Sequence, residues 1–328
     1  MTKQKLKWGI AGCGRFAEKT FIPAIQMLRK NDVVSLFSNS KERGNDLAKK
    51  FGISGSFFDY DEFLKSGISC VYVSSANAHH YEQVIKAAKA GKNILCEKPL
   101  SVNSTEAEEM VKACEDNGVQ LALNYVYRFN PLIRKARELI GGGYIGNLVS
   151  INLNFNIDFV PGSNFRFNKS LSGGGALRDL GTHMIDLLRF FGGEIKSIDG
   201  FIDNIIYKSE VDDFAAAIVQ FENEGYGYFN VSFNNKKAFN RIDILGHKGA
   251  LNLEKLIGAR NASSKLTILK DGEAKKAFRK RGNNLYYLLK SVERSFLNNE
   301  KPLVTGYDGL MNMKIMEELE NKCLKKRN

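Results

Sequence analysis

Gly9-Ile10-Ala11-Gly12-Cys13-Gly14-Arg15-Phe16-Ala17 decides the fold of this chain. An apolar run containing Leu6, Trp8 and Ile10 feeds into a glycine turn, and helix-period sequence follows over Arg15–Arg29. A dinucleotide pyrophosphate needs that arrangement. Gly12 permits the tight turn, Gly14 lets the backbone approach the phosphates with no Cβ in the way, and Ala17 is small enough for close packing of helix on strand. The positive end of the helix then faces the anion. Such a glycine pattern also occurs as a plain structural turn. The strand before it and the helix after it select nucleotide binding, with Gly12, Gly14, Arg15 and Phe16 as candidate contacts.

Working outward, short apolar runs at Lys5–Ala11, Val33–Ser38, Cys70–Ser74, Asn93–Cys96 and Gln120–Asn124 alternate with helical patterns. The helices are expected at Phe16–Arg29, Lys41–Phe51, Tyr60–Lys65, His79–Ala90 and Ser104–Asn117. Strand–helix alternation of this kind gives an α/β domain with a doubly wound parallel sheet of the Rossmann type, placed at 1–123. A helix at Pro131–Ile140 stops at Gly141–Gly143, and the pattern then changes. Leu148–Ile157 alternates cleanly, and strand-like runs follow at Asp213–Phe221, Tyr226–Phe233, Asn240–Leu245, Ala250–Leu253 and Leu266–Leu269 with few helices between. The segment 124–328 is therefore expected to be an α+β domain on a largely antiparallel sheet, with helices near Leu177–Phe191, Asn284–Leu297 and Asp308–Cys323.

The chain has 328 residues, enough for two domains and a sizeable core. Its net charge of +12 is scattered rather than gathered in a basic stripe, so no nucleic-acid partner is expected. Five cysteines without C-x-x-C spacing indicate neither a zinc site nor a disulfide framework, and a reducing compartment follows. Met1–Lys7 is polar and basic with no apolar stretch of a signal peptide, and no run is long enough to span a membrane. A cytoplasmic protein with no metal is the expectation.

Three further segments carry chemistry. Cys96-Glu97-Lys98-Pro99-Leu100 closes a strand at the carboxyl edge of the sheet, where ligands of open α/β folds bind. Asn124-Tyr125-Val126-Tyr127-Arg128-Phe129-Asn130-Pro131 closes the next. Gly173-Gly174-Gly175-Ala176-Leu177-Arg178-Asp179-Leu180-Gly181-Thr182-His183 opens a helix of the second domain. Asp179 and His183 are four residues apart on that helix and project from one face, so they can meet one ligand. An imidazole with a pKa near 6.5 can take the proton of an alcohol as its carbon gives up hydride.

In the order of these parts the chain resembles the glucose-fructose oxidoreductase, inositol dehydrogenase and MocA (Gfo/Idh/MocA) family of nicotinamide-dependent oxidoreductases. The resemblance implies a first domain that holds the cofactor and a substrate cleft against the second. The substrate class it implies is a sugar, polyol or sugar derivative. It makes Lys98, Asp179 and His183 the catalytic candidates, and whether Lys98 or His183 moves the proton stays open. It implies a cis Lys98–Pro99 bond, with Glu97 anchoring that turn. It places Ser75 and Asn77 near the nicotinamide ribose, although Ala76 stands where the family commonly has proline. Tyr127 and Arg128 fall where the family lines its cleft, and Arg166 lies in a segment resembling its Trp-Arg motif, with Phe165 in place of tryptophan. These three are substrate-binding candidates beside Asp179 and His183. Arg128 is equally readable as a structural pin, and His80 is read as structural. A homodimer or homotetramer paired through the second-domain sheet is implied as well.

The end of the second strand separates NADP from NAD, because a carboxylate there repels a 2′-phosphate. Ser38-Asn39-Ser40-Lys41-Glu42-Arg43 has no acid at Ser38, Asn39 or Ser40, and Lys41 or Arg43 is available to a phosphate, so NADP is favoured over NAD. The competing reading is a non-catalytic NAD(P)-binding sensor of the same fold, against which the joint presence of Lys98, Asp179 and His183 counts.

Overall fold

The computed structural model describes residues 5–236, 240–257, 263–271 and 273–327. The chain divides into two compact units, one of Met1–Tyr125 with Leu285–Met313 and one of Val126–Asn284 with Lys314–Asn328.

The first unit is built on six parallel strands, β1 (Leu6–Ala11), β2 (Asn31–Phe37), β3 (Gly55–Phe57), β4 (Cys70–Val73), β5 (Asn93–Cys96) and β6 (Leu121–Leu123). Their order, β3-β2-β1-β4-β5-β6, reverses direction between β1 and β4, the position at which doubly wound sheets bind ligands. β4 is buried along its whole length and β1 at all but one residue, as parallel strands covered on both faces must be. Ser40, Asp59 and Asn103 accept hydrogen bonds from backbone amides that start the helices Lys41–Phe51, Tyr60–Leu64 and Ser104–Asp116, and Gly52 in the left-handed region ends the first of these. β3, only three residues long, carries too little pattern to be anticipated.

The helix after the glycine turn is shorter than the sequence implies. A wide turn covers Ala17–Phe21, in which the Ile22 amide donates to Ala17 O five residues back, and a short α-helix follows at Ile22–Ile25. Pro23 has no N–H to offer the preceding turn, which favours the wider spacing.

Segment 285–313, expected with the second domain, packs with the first. Phe296, on the helix Asn284–Asn298, stacks on fully buried Trp8 with ring centroids 5.9 Å apart. The Trp8 indole N–H donates to Asn31 Oδ1 at 2.7 Å, and Asn31 in turn donates to Glu293. Beyond that helix, Leu123 N donates to Val304 O at 3.2 Å beside the edge strand β6. No local sequence pattern announces this return of the chain, because the partners lie hundreds of residues away.

The second unit carries eight strands in the order β14-β13-β12-β11-β7-β10-β9-β8. They are β7 (Leu148–Asn156), β8 (Ile195–Asp203), β9 (Phe214–Phe221), β10 (Tyr226–Ser232), β11 (Arg241–Gly246), β12 (Gly249–Glu254), β13 (Ser264–Lys270) and β14 (Glu273–Lys280). All neighbours are antiparallel except β7 and β10, which run parallel in the middle. β8 and β14 go beyond the strands expected; β14 is a lysine-rich edge that no alternation marks and whose charge discourages further pairing. Ile151, Leu153, Phe155, Phe229 and Val231 point to the buried face, which the helix Thr182–Gly192 covers. Among the described residues no helix is long and apolar enough to cross a membrane.

Replacing Phe296 by Ala should lower the unfolding free energy by about 3 kcal/mol or more, since a buried aromatic and its stack are lost. Urea unfolding of the full chain measures it, and an unchanged midpoint would show that this helix adds nothing to the core of the first unit.

Candidate functional site

In the first unit three loops meet at the carboxyl ends of β1, β4 and β5. Gly12 has φ +104°, and a Cβ there would lie 2.6 Å from Ser75 N and 2.7 Å from the Ser74 carbonyl carbon. Only glycine tolerates both the dihedral and the backbone approach. A Cβ on exposed Gly14 would meet nothing within 4 Å and would project into open space beyond the turn. Arg15 and Phe16 are exposed beside it, and Ala17 is buried. Cys13 in the turn is buried, which pushes its thiol up to about 11, so it serves as apolar filling.

Ser75 Oγ donates to Gln83 Oε1 at 2.8 Å, and Asn77 is buried at the start of a short helical turn. His80 is fully buried with Nδ1 at 3.1 Å from Pro99 O and Nε2 at 3.3 Å from Ser75 O. It joins the β4 loop to the turn that carries Lys98. Burial holds the imidazole down at about 4, with the carbonyls opposing the shift. The Lys98–Pro99 bond is cis, as the family resemblance implied. Glu97 beneath it accepts from Tyr72 Oη and Asn124 Nδ2, each at 2.5 Å, and Lys98 is half-buried above. Glu97 is thus held within the protein by two side chains that sequence reading did not single out. Both come from strand ends adjacent only in the folded sheet.

At the end of β2, Ser38 is buried while Asn39 and Ser40 are exposed. Ser38 Oγ accepts from the Ser40 amide, and Ser40 Oγ accepts from the Arg43 amide. Lys41 lies over the Phe58 ring.

In the second unit, Tyr127 and Phe155 lie against His183, and Arg166 pairs with Asp179, four residues before His183 in the sequence. A second wide turn, Leu177–Gly181, leads into the helix Thr182–Gly192, with the Thr182 amide reaching back to Leu177 O. Wide turns of this type recur at functional sites because they reposition side chains relative to an α-helix. Asp179 sits on the turn and His183 follows on the helix. The His183 ring is buried, 4.9 Å from the Tyr127 ring in an edge contact and 6.4 Å from Phe155. Arg166 Nε donates to Asp179 Oδ1 at 3.0 Å, and both side chains keep partial exposure.

Arg128, by contrast, is buried in a two-bond pair with Asp186 at 2.9 and 2.7 Å and lies against the Phe190 ring. Breaking a buried pair of this sort costs about 3–5 kcal/mol, which favours its reading as a pin. The glycine run before the turn is fixed by Asp212, whose Oδ1 accepts from Gly175 N at 2.7 Å and whose Oδ2 accepts from Leu177 N at 2.8 Å. A Cβ on Gly175 would fall 1.9 Å from Asp212 O. Burial raises the Asp212 carboxyl, and the two amides oppose that rise. Asp212 was not anticipated, since its partners lie far back along the chain. Among the described residues no cluster of His, Cys, Asp or Glu is placed to hold a metal ion.

Comparison with known proteins matches residues 6–125 to a family described as an oxidoreductase family with an NAD-binding Rossmann fold, and residues 133–252 to the GFO/IDH/MocA C-terminal domain. The chain is 30% identical over 317 residues to 1,5-anhydro-D-fructose reductase of Ensifer adhaerens, covering 94% of this chain and 93% of that protein. It is 31% identical over 190 residues to the NADP-dependent D-xylose 1-dehydrogenase 2 of Haloferax volcanii, 57% of this chain and 58% of that one. Among solved structures, levoglucosan dehydrogenase in complex with NADH and levoglucosan superposes with a TM-score of 0.87 at 22% identity, covering 98% of each chain. Aldose-aldose oxidoreductase from Caulobacter crescentus superposes at 0.90 with 22% identity over 99% of each. These two share the fold.

The shift of His80 gives a pH prediction. An unfolded imidazole charges below about 6.5 and folded His80 only near 4, so its contribution is complete above 6.5 and is lost as pH falls through that window. The loss amounts to about 3 kcal/mol. Urea unfolding between pH 7 and 4 should show that decline in the unaltered protein and a flatter one in His80→Asn. Equal slopes would mean that His80 does not carry it.

Proposed function

Because this chain belongs to the Gfo/Idh/MocA family of oxidoreductases, we propose that it transfers a hydride between a nicotinamide dinucleotide and a secondary alcohol or ketone of a sugar, polyol or sugar derivative. The chain is an NAD(P)-dependent dehydrogenase or reductase; the sugar class rests on its relatives, which include an anhydrofructose reductase and xylose and levoglucosan dehydrogenases. The observation that carries the reading is the cluster of Asp179, His183, Arg166 and Tyr127 on one wide turn and its neighbours.

The residues of the first unit fit a dinucleotide. Gly12 lets the turn close against Ser75, and the open space beyond Gly14 is where a pyrophosphate would meet bare backbone at a helix start. Arg15, Phe16, Ser38, Asn39, Ser40, Ser75, Asn77, Glu97 and Lys98 are the proposed remaining contacts, Glu97 acting through the turn it anchors. The uncharged Ser38–Ser40 loop supports NADP over NAD. When bound, the nicotinamide supplies or accepts the hydride.

His183 takes the proton of the alcohol, or returns it to the ketone, with its ring held edge-on by Tyr127. Asp179 receives a substrate hydroxyl or fixes the imidazole, and Arg166, partly exposed beside that carboxylate, binds substrate oxygens. Lys98 is the second proton-handling candidate, donating a hydrogen bond to developing alkoxide character. The five cysteines are free and buried, which supports a reducing, cytoplasmic setting.

A homo-oligomer paired through the open face of the second sheet is part of the proposal. On that face Phe201 of β8, Ile218 of β9 and Tyr226 and Tyr228 of β10 are all exposed, on three adjacent strands, a patch that a second copy would cover. Along β10 the two tyrosines are exposed, whereas Ser232 at its end is buried.

Fluorescence titration with NADPH and NADH, followed by keto-sugar reduction, tests the activity. His183→Ala should bind cofactor normally and lower turnover about tenfold to thousandfold; undiminished turnover would remove His183 from proton transfer. Light scattering should give at least a dimer at micromolar concentration, and Tyr228→Glu should shift it toward monomer. A monomer in the unaltered protein would discard the sheet pairing.

A further inference from the structure

We infer that Glu18 tunes the cofactor preference of the nucleotide site by competing with an adenosine 2′-phosphate for Arg43. The inference rests on the oxidoreductase reading above and deepens it. Glu18 lies in the wide turn Ala17–Phe21, directly after the glycine turn. Its side chain is only 11% exposed, so its charge requires partners. Oε1 accepts from Lys50 Nζ at 2.6 Å and Oε2 accepts from Arg43 Nη2 at 2.7 Å. Those two bonds, that of Lys50 first, hold the carboxyl down at about 2, so Glu18 is ionised at any working pH.

Arg43 is the third residue of the helix Lys41–Phe51, immediately after Ser38–Ser40, at the strand end that receives the adenosine ribose in sheets of this order. Its Nε donates to Cys13 O at 2.9 Å, so the guanidinium spans from the ribose loop to the glycine turn. A guanidinium has five N–H groups, and the remaining ones are available to a phosphate. In an NAD-selective sheet the acid stands at the strand end and meets the ribose directly. Here that position is Asn39, and the acid lies across the turn, gripping the cation from the other side.

The trio of Glu18, Arg43 and Lys50 carries a net single positive charge. Removing the carboxylate doubles that charge and releases Arg43 from a charge-assisted bond. Removing Lys50 instead leaves Glu18 to Arg43, with Lys19 Nζ farther off at 3.9 Å from Oε1 and largely exposed. The two changes therefore push the preference in opposite directions, which a merely structural role for the trio does not.

The test is the ratio of NADPH to NADH affinity, measured by fluorescence titration of the full-length protein and of Glu18→Gln and Lys50→Gln. Glu18→Gln should raise the ratio about tenfold, the scale of one charge-assisted hydrogen bond. Lys50→Gln should lower it about threefold by the weaker change at a distance. Lys50 is exposed, so that variant carries the test even where Glu18→Gln does not fold. An unmoved ratio in Glu18→Gln, or a raised one in Lys50→Gln, overturns the inference while cofactor binding itself stands. Binding of neither cofactor by the unaltered protein overturns the oxidoreductase reading and this inference together.

Discussion

The absent side chain at Gly12 is the constraint on which the first unit's site depends. Because no Cβ stands there, the turn after β1 closes onto the backbone of Ser74 and Ser75 after β4. The second of those residues offers its carbonyl to buried His80, whose other nitrogen faces the carbonyl of Pro99 after β5. Three loops from three central strands thus become one rigid edge. The same edge carries Lys98, and Glu97 locks it from below through Tyr72 and Asn124. A neutral imidazole carries a single N–H, so it donates on one side only and packs its other nitrogen against the opposite loop, without bringing a charge into a dry environment.

The second unit solves a different problem, that of keeping charged residues inside. Arg128 with Asp186, Arg178 with Glu320 and Arg189 with Glu194 form two-bond pairs around the helix Thr182–Gly192. Asp212 meets the amides at the start of the wide turn that precedes it. Planar guanidinium groups suit this work because both nitrogens meet both carboxylate oxygens. Arg166 and Asp179 differ from these pairs in that both side chains keep partial exposure. A partly exposed pair of that kind costs little to rearrange.

Charge is handled in the same way at the nucleotide end. Glu18, Arg43 and Lys50 form a small network whose members come from two helical segments and whose geometry reaches the glycine turn. The network ties the glycine turn to the first turn of the helix Lys41–Phe51 through Arg43.

Local pattern was sufficient for much of this. The strand and turn around Gly12, the helix Lys41–Phe51, β5 and the alternation of β7 were all legible, because hydrophobic period and glycine geometry are properties of neighbouring residues. The composition of the Ser38–Ser40 loop was legible for the same reason, whereas Asp179 and His183, expected on one helix, fall on the wide turn Leu177–Gly181 and on the helix that follows it. Tertiary structure alone decided that Phe296 belongs against Trp8, that Arg128 is taken up by Asp186, that Arg43 turns to Glu18 and Cys13 O, and that Asp212 fixes the glycine run. Each of those is a pairing between groups distant in sequence. Nothing in the local pattern selects which carboxylate an arginine will find. That choice falls to the folded chain, where burial makes an unpaired charge too costly to keep.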